Sequence, residues 1–343
     1  MGTGYIISLI DGDGIGPEQS IATSQVLKEI DRAYGLSLTI VPVEAGDRAL
    51  KAHGQALPQR SWEDIRKSDC CLKAPVGESA YDVIIRLRRD LDLYANVRPA
   101  KSLPNVPSLD PHTDLVIVRE NTEDLYSGLE SGDGDRATAT RVISRRASER
   151  IARYAFELAR GRRKTVTAIH KANVMKKTDG LFLSTCKEVA SKYPDVAFSD
   201  MLVDAAAMNL IRNPQQFDVL VTTNMFGDIL SDEAAQVVGG LGIAASANIG
   251  DDFAIFEPVH GCAPDIAGTN TANPTSLLLS TVMMLDWLGR RRRDDRATQA
   301  SRALYHAVDG CLTNREVTRD LGGSLDTLEM GRAVSKRLNK EIS

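Results

Sequence analysis

The chain has few of the features that would assign it quickly. Five cysteines (Cys70, Cys71, Cys186, Cys262 and Cys311) are odd in number and form no CxxC pair. That argues against a disulfide framework and for a reducing, cytoplasmic compartment. The start, MGTGYIISLIDGDG, lacks the basic and apolar regions of a signal peptide. The longest apolar stretch, Leu277 to Leu285, is interrupted by Ser280 and Thr281 and is too short to span a bilayer, so no membrane partner is expected. A formal net charge of -4 offers no electrostatic case for nucleic acid. The glycines of Asp11-Gly12-Asp13-Gly14-Ile15-Gly16 do not follow G-x-G-x-x-G, so a standard Rossmann fingerprint is not supported. No zinc spacing is present.

What remains is an ordinary soluble composition, 43% apolar and 26% charged over 343 residues. Short apolar runs alternate with helical patterns: strands near 5–10, 38–43, 70–74, 115–118, 164–169, 201–203 and 219–221. Helices are expected over 18–34, 61–67, 82–94, 147–161, 181–192 and 275–287, with Thr178 or Asp179 capping the one that starts near 181. This is the pattern of an α/β fold. Gly132 to Arg136, with flanks reaching from Ser127 to Arg141, reads as a hairpin arm or flexible excursion. Arg290 to Arg293 reads as a solvated helix–helix connection.

The chain is organised around 217–250. An apolar strand turns through Asn224 and Gly227 into a helix carrying Asp228 and Asp232. Carboxylates four apart share a helix face and make half a site for Mg2+ or Mn2+, although acidic pairs at this spacing are also common on solvated helices. Arg88, Arg98 and Arg119 each close an apolar element. Their forks suit a substrate with two or three carboxylates, and surface salt bridges are the simpler alternative. Lys171 sits at a strand end, where a base is conceivable but a solvated ammonium is commoner. The loop 257–268 carries His, Cys, Asp and Glu between buried elements and is a binding-loop candidate.

These separate signals coincide in one family. GDGIGPE (12–18), LDLYANVRPAKS (91–102), VIVRENTEDLY (116–126), HKANVMKKTDGLF (170–182), FDVLVTTNMFGDILSD (217–232), SANIGDD (246–252) and EPVHGCAPDIAG (257–268) together resemble the metal-dependent β-decarboxylating dehydrogenases acting on 3-isopropylmalate, isocitrate or homoisocitrate. The archaeal-type isopropylmalate and homoisocitrate enzymes are the nearest in pattern. The resemblance implies a two-domain α/β fold. Residues 1–97 and 248–343 would form a large cofactor-binding domain, and 98–247 a smaller one with the dimer interface and arm. It implies a homodimer with shared active sites.

Carried over by position, Arg88, Arg98 and Arg119 resemble the clamp on the malate part of the substrate. Asp228 and Asp232, with Asp204 of the other subunit, resemble the metal ligands. Lys171, also from the other subunit, and Tyr126 resemble the acid/base pair, with Asp204 beside the lysine. Asp13, Gly14, Ile15, Glu257, His260, Gly261, Ala263, Pro264, Asp265, Ile266 and Asn273 resemble the cofactor site. An acid at Asp265 implies NAD, because it binds ribose hydroxyls and repels a 2'-phosphate; NADP-preferring relatives carry Lys and Tyr at 265 and 266.

The substrates differ only in the substituent on malate. Isocitrate enzymes typically carry Ser and Asn where this chain has Asp82 and Ile84, and one homoisocitrate type carries Arg where it has Ile85. Val83, Ile84 and Ile85 are expected to hold an isopropyl group, with leucine synthesis as the setting. Isocitrate and homoisocitrate remain alternatives, in which Ser79 or the second subunit would reach the distal carboxylate. A non-catalytic regulatory subunit would have lost residues that are all present. Cys262 and Asp124 depart from the family's more usual Ser and Gly.

Overall fold

The computed structural model describes residues 4–342; Met1 to Thr3, at the head of the segment read for a signal, lie outside it. The chain opens with β1 (Tyr5–Ile10), α1 (Gly16–Tyr34), β2 (Leu38–Val43), α2 (Asp47–His53), α3 (Gln59–Lys67), β3 (Cys70–Lys73) and α4 (Ala80–Asp90). The middle carries β4 (Ala95–Lys101), β5 (Asp114–Glu120), the exposed pair β6 (Glu130–Gly132) and β7 (Ala137–Ala139), α5 (Arg145–Arg160), β8 (Thr165–His170), α6 (Thr178–Ala190), β9 (Ala197–Leu202), α7 (Val203–Arg212), β10 (Val219–Thr222) and α8 (Asn224–Val237). It closes with β11 (Ala245–Ile249), β12 (Ala254–Pro258), α9 (Thr275–Arg292), α10 (Asp295–Thr313) and α11 (Thr327–Ile342).

Ten strands make one sheet in the order β2-β1-β3-β12-β11-β4-β5-β10-β8-β9. β2, β1, β3 and β12 run parallel to one another, as do β5, β10, β8 and β9. β11 and β4 join the two blocks through antiparallel pairings. Each parallel block is covered by helices, so its inner strands are apolar throughout and do not alternate. Val219, Leu220 and Val221 are fully buried, as are Ile117 and Val118 beside them. Open α/β sheets bind ligands beyond the carboxyl ends of their strands. Arg119, Lys171, Asp204 and the helix bearing Asp228 follow or end β5, β8, β9 and β10 in that manner. The 12–17 loop, Lys73 and Glu257 do the same for β1, β3 and β12.

The structure corrects several expectations. The helix expected over 82–94 runs from Ala80 to Asp90, because Leu91 and left-handed Asp92 (φ 46°) turn the chain into β4. Val83 is fully buried in the core, so it does not belong to a substrate-facing surface. Neither Thr178 nor Asp179 caps α6: Lys177 occupies that place without a side-chain bond, and Asp179 is buried and turned back on the preceding loop. Asp204 lies in the first turn of α7, past the strand. Arg290 to Arg292 continue α9, and only Arg293 and Asp294 form the connection. Of the two readings of the stretch after Ser127, the structure has the hairpin arm, an antiparallel pair of β6 and β7. No helix among the described residues is long and apolar enough to cross a membrane.

Candidate active site

Five of the singled-out side chains meet at the end of β5 and the start of α8. Arg119 is 1% exposed; its Nε and Nη2 donate to Asn224 Oδ1 at 2.9 and 2.7 Å, and its Nη1 pairs with Asp228 Oδ1. Gly227 makes this approach possible, since a Cβ there would stand 2.6 Å from the Arg119 side chain. Arg98 reaches the same helix, with Nη1 2.9 Å from Asp232 Oδ1 and Nη2 3.4 Å from Asp228 Oδ1. The Tyr126 hydroxyl donates to Asp228 Oδ2 at 2.5 Å. The arginines are therefore not ordinary surface salt bridges.

Electrostatics follow from this crowding. Burial, reinforced by Arg98 and Arg88, depresses the Arg119 guanidinium to about 9. Burial pushes the Asp228 carboxyl up, but Arg119, Tyr126 and Arg98 outweigh it and hold it below the usual range. Burial lifts Asp232. The Tyr126 phenol is raised by burial and by its bond to Asp228.

Arg88 joins through a buried polar network. Its Nε donates to Asn248 Oδ1 at 2.9 Å, an oxygen that also accepts from Asn96 and Asn121 at 3.1 and 3.0 Å. Asn248 in turn donates to Glu257 Oε1 at 2.7 Å, and Glu257 pairs with Lys73 at 2.7 Å. Burial raises the Glu257 carboxyl, yet Lys73, Arg88 and Asn248 pull it down to about 2. None of Lys73, Asn96, Asn121 and Asn248 was singled out from the sequence, although the three asparagines lie inside quoted motifs. On α4, Ile84 and Ile85 are half-buried and share the face of Arg88 at helical spacing. Exposed Tyr81 continues that face and was also missed. Ser79 is unavailable to a distal carboxylate, because its hydroxyl donates to Asp47 Oδ1 at 2.6 Å.

Lys171 Nζ pairs with Asp204 Oδ1 at 2.7 Å. Among the described residues, no hydrogen bond or ion pair links either to Tyr126, Asp228 or Asp232, and no three His, Cys, Asp or Glu side chains converge as a metal site. One chain thus offers two donors, Asp228 and Asp232, of the larger oxygen set that a hard cation needs. They fit such an ion: both lie on one helix face, and their present partners are arginine forks that an anionic substrate can engage.

The candidate cofactor residues form two touching loops. Ile15 N donates to Cys262 O at 2.9 Å. Gly14 is left-handed, and a Cβ on it would lie 1.9 Å from that carbonyl. Asp13 is buried, and its carboxylate accepts from the amides of Asp47, Arg48 and Gly77, so it braces the loop. His260 Nε2 lies 3.3 Å from the Gln19 amide nitrogen, whose second bond goes to Asn273 O; burial lowers the imidazole. Asn273 bonds Asp320, outside the loops. Gly261, Ala263, Pro264 and Ile266 surround Asp265 on the exposed rim. No hydrogen bond or ion pair engages the Asp265 carboxylate among the described residues. The Gly14 turn lying against the 257–268 loop, with the exposed Asp265 carboxylate on its rim, fits the phosphates and ribose of a dinucleotide.

Residues 6–334 match the family described as isocitrate/isopropylmalate dehydrogenase. The 3-isopropylmalate dehydrogenase of Sulfurisphaera tokodaii is 51% identical, covering 98% of this chain and 99% of its own. The isocitrate/homoisocitrate dehydrogenase of Thermus thermophilus is 49% identical over 97% and 98%. The crystal structure of isocitrate dehydrogenase from Methylococcus capsulatus superposes with a TM-score of 0.89 at 43% identity, covering 97% of this chain and 99% of that one. The chain is a decarboxylating dehydrogenase and belongs to the isocitrate/isopropylmalate dehydrogenase family.

Proposed function

We propose that the chain oxidatively decarboxylates a 3-substituted (2R,3S)-malate with NAD and Mg2+ or Mn2+, and that 3-isopropylmalate is the substrate. The observation that carries this reading is the junction of a three-arginine cluster with Asp228, Asp232 and Tyr126, flanked by Ile84 and Ile85 on the helix that supplies Arg88. The arginines bind the two carboxylates of the malate moiety as forks. Ile84 and Ile85 cover an apolar substituent, worth about 1.5–3 kcal/mol for a buried aliphatic group. Lys171, oriented by its 2.7 Å contact with Asp204, takes the proton of the C2 hydroxyl. Tyr126 delivers a proton to C3 after CO2 has left. The divalent cation, when bound, supplies charge that acidifies the hydroxyl and steadies the enolate, and NAD supplies the hydride acceptor.

A homodimer with shared sites belongs to the same reading. Asp204, Met208 and Ile211 line one face of α7, and Met225, Asp228, Ile229 and Asp232 line one side of α8. Met208, Ile211 and Ile229 are 57–59% exposed, an apolar patch that a second copy would cover. Pairing these helices across a two-fold axis brings the Asp204 and Lys171 of one subunit toward the carboxylates of the other.

A second reading, a substrate with a distal carboxylate, is favoured by the Tyr81 hydroxyl beside Ile84 and by the Thermus thermophilus relative. The deciding experiment follows NAD reduction with Mn2+ and compares 3-isopropylmalate, isocitrate and homoisocitrate by kcat/KM. A preference above tenfold for isopropylmalate supports the reading. A preference for either tricarboxylate replaces it.

A further inference from the structure

We infer that Arg141 is a positioning residue that sets the proton donor, the lysine loop and the carboxylate helix in register; this rests on the functional reading above. Arg141 closes the segment after the hairpin, far in sequence from all three. Its side chain is 12% exposed, and it lies between two carboxylates that are fully buried, Asp124 and Asp179. Nε donates to Asp124 Oδ1 at 2.7 Å and Nη2 lies 3.4 Å from Asp124 Oδ2. Nη2 also donates to Thr223 Oγ1 at 2.7 Å. Nη1 stands 2.9 Å from Asp179 Oδ1 and 2.8 Å from Met175 Sδ. The guanidinium stacks 4.7 Å over the Phe226 ring.

Each contact belongs to a segment that carries chemistry. Asp124 stands two residues before Tyr126. It adopts φ 76° and ψ -148°, a conformation that favours glycine, so its place must be enforced by its bonds. Those bonds come from Arg141, from its own Leu125 amide and from the amide of Met225 on α8. Asp179 accepts the amide of Lys171 at 2.6 Å. Thr223, Met225 and Phe226 open the helix that carries Asp228. One planar fork therefore ties the Tyr126 turn, the Lys171 loop and the start of α8 together, whichever subunit's substrate each side chain serves. A lysine at 141 would keep the charge without the fork.

The test uses the full chain with Arg141→Lys, Arg141→Gln, Asp124→Asn and the double variant Arg141→Gln/Asp124→Asn. Folding is checked by circular dichroism and Tm. The expected result is a kcat lowered about 30- to 300-fold, with KM for substrate and NAD within about threefold. The solvent deuterium isotope effect on kcat rises as proton delivery becomes limiting. Arg141→Lys recovers no more than about a tenth of kcat, and the double variant is no worse than the poorer single one. A folded Arg141→Lys within about threefold of the parent in kcat, with an unchanged isotope effect, overturns the inference. So does a loss that merely tracks the folded fraction. Where Arg141→Gln does not fold, Arg141→Lys decides.

Hydrogen exchange gives a readout independent of turnover. In the Arg141 variants, protection should fall together over 122–128, 171–180 and 223–228 and stay unchanged over 5–43. A change confined to 139–143 overturns the inference even if the enzyme is active. If the parent chain oxidises none of the three malates, the functional reading fails while this exchange pattern still judges Arg141.

Discussion

The Tyr126 hydroxyl donates to Asp228 Oδ2 at 2.5 Å, while Arg119 holds the other oxygen of the same carboxylate. A phenol raised by burial and by this bond stays protonated at neutral pH. It is therefore stored as an acid beside the carboxylate proposed to hold the metal. If Tyr126 acts only after oxidation and CO2 loss, Tyr126→Phe should spare the first hydride transfer. We expect kcat to fall about 10²- to 10⁴-fold, with a burst of NADH close to one per active site before the slow phase. Rapid-mixing absorbance at 340 nm (the reduced nicotinamide band) checks this. Loss of the burst together with the steady rate would assign Tyr126 to the oxidation or to binding.

The Lys73–Glu257 pair gives a pH test of the buried network. Glu257 is depressed to about 2 in the folded chain, below the ordinary range of a free carboxyl. Such a group stabilises the fold fully above the unfolded carboxyl's range, and that contribution fades as pH falls toward about 2. Lys73→Met leaves the buried carboxylate with the Asn248 amide and the more distant Arg88, 3.4 Å away. We expect a loss of about 3–5 kcal/mol at pH 7, smaller at pH 4, where protonating Glu257 relieves the unpaired charge. Lys73→Met/Glu257→Gln should recover part of the loss at pH 7. Denaturant unfolding at the two pH values measures it; an equal loss at both would refute the charge argument.

Some of this was legible in the sequence and some could not be. The strands at 115–118 and 219–221 announced themselves as continuous apolar runs, and the aspartates on α8 by their spacing. The family motifs then located the arginines, tyrosine and lysine. Burial of polar side chains was not legible. Asn96, Asn121 and Asn248 look like ordinary polar residues until the sheet brings β4, β5 and β11 side by side. Arg141 ends a stretch that reads as a hairpin arm or flexible excursion, and Asp179 reads as one of two candidate helix caps. Both are parts of one long-range network, and no local pattern encodes a partner 38 or 17 residues away. Val83 misled for the opposite reason: an apolar triplet on a helix cannot all face the substrate, since a helix turns 100° per residue.

Asp265 is exposed and has no partner among the described residues, so changing it should alter cofactor choice without touching the fold. Asp265→Lys with Ile266→Tyr should lower kcat/KM for NAD at least tenfold and raise it for NADP, because the carboxylate's repulsion of a 2'-phosphate is exchanged for an ammonium's attraction. Stability should stay within about 0.5 kcal/mol. Steady-state kinetics with both cofactors, read beside Tm, tests the assignment. Unchanged discrimination would place the adenosine ribose elsewhere.

The proposed sharing of active sites makes a prediction that no single variant can. Lys171→Met and Tyr126→Phe should each be nearly inactive alone. Co-refolded in equal amounts they form hybrid dimers for half the population. In a hybrid, one site receives two damaged residues and the other receives the intact tyrosine of one chain and the intact lysine of its partner. The mixture should therefore recover about a quarter of the parent activity, as the statistics of a two-fold dimer require. Sites complete within one chain would recover nothing. Ile229→Asp supplies the control, since a charge on the exposed face of α8 should leave a species of 37.3 kDa by sedimentation and abolish recovery. A monomer that retained full turnover would remove the shared site from the reading, and with it the reason Lys171 and Asp204 stand paired apart from Asp228.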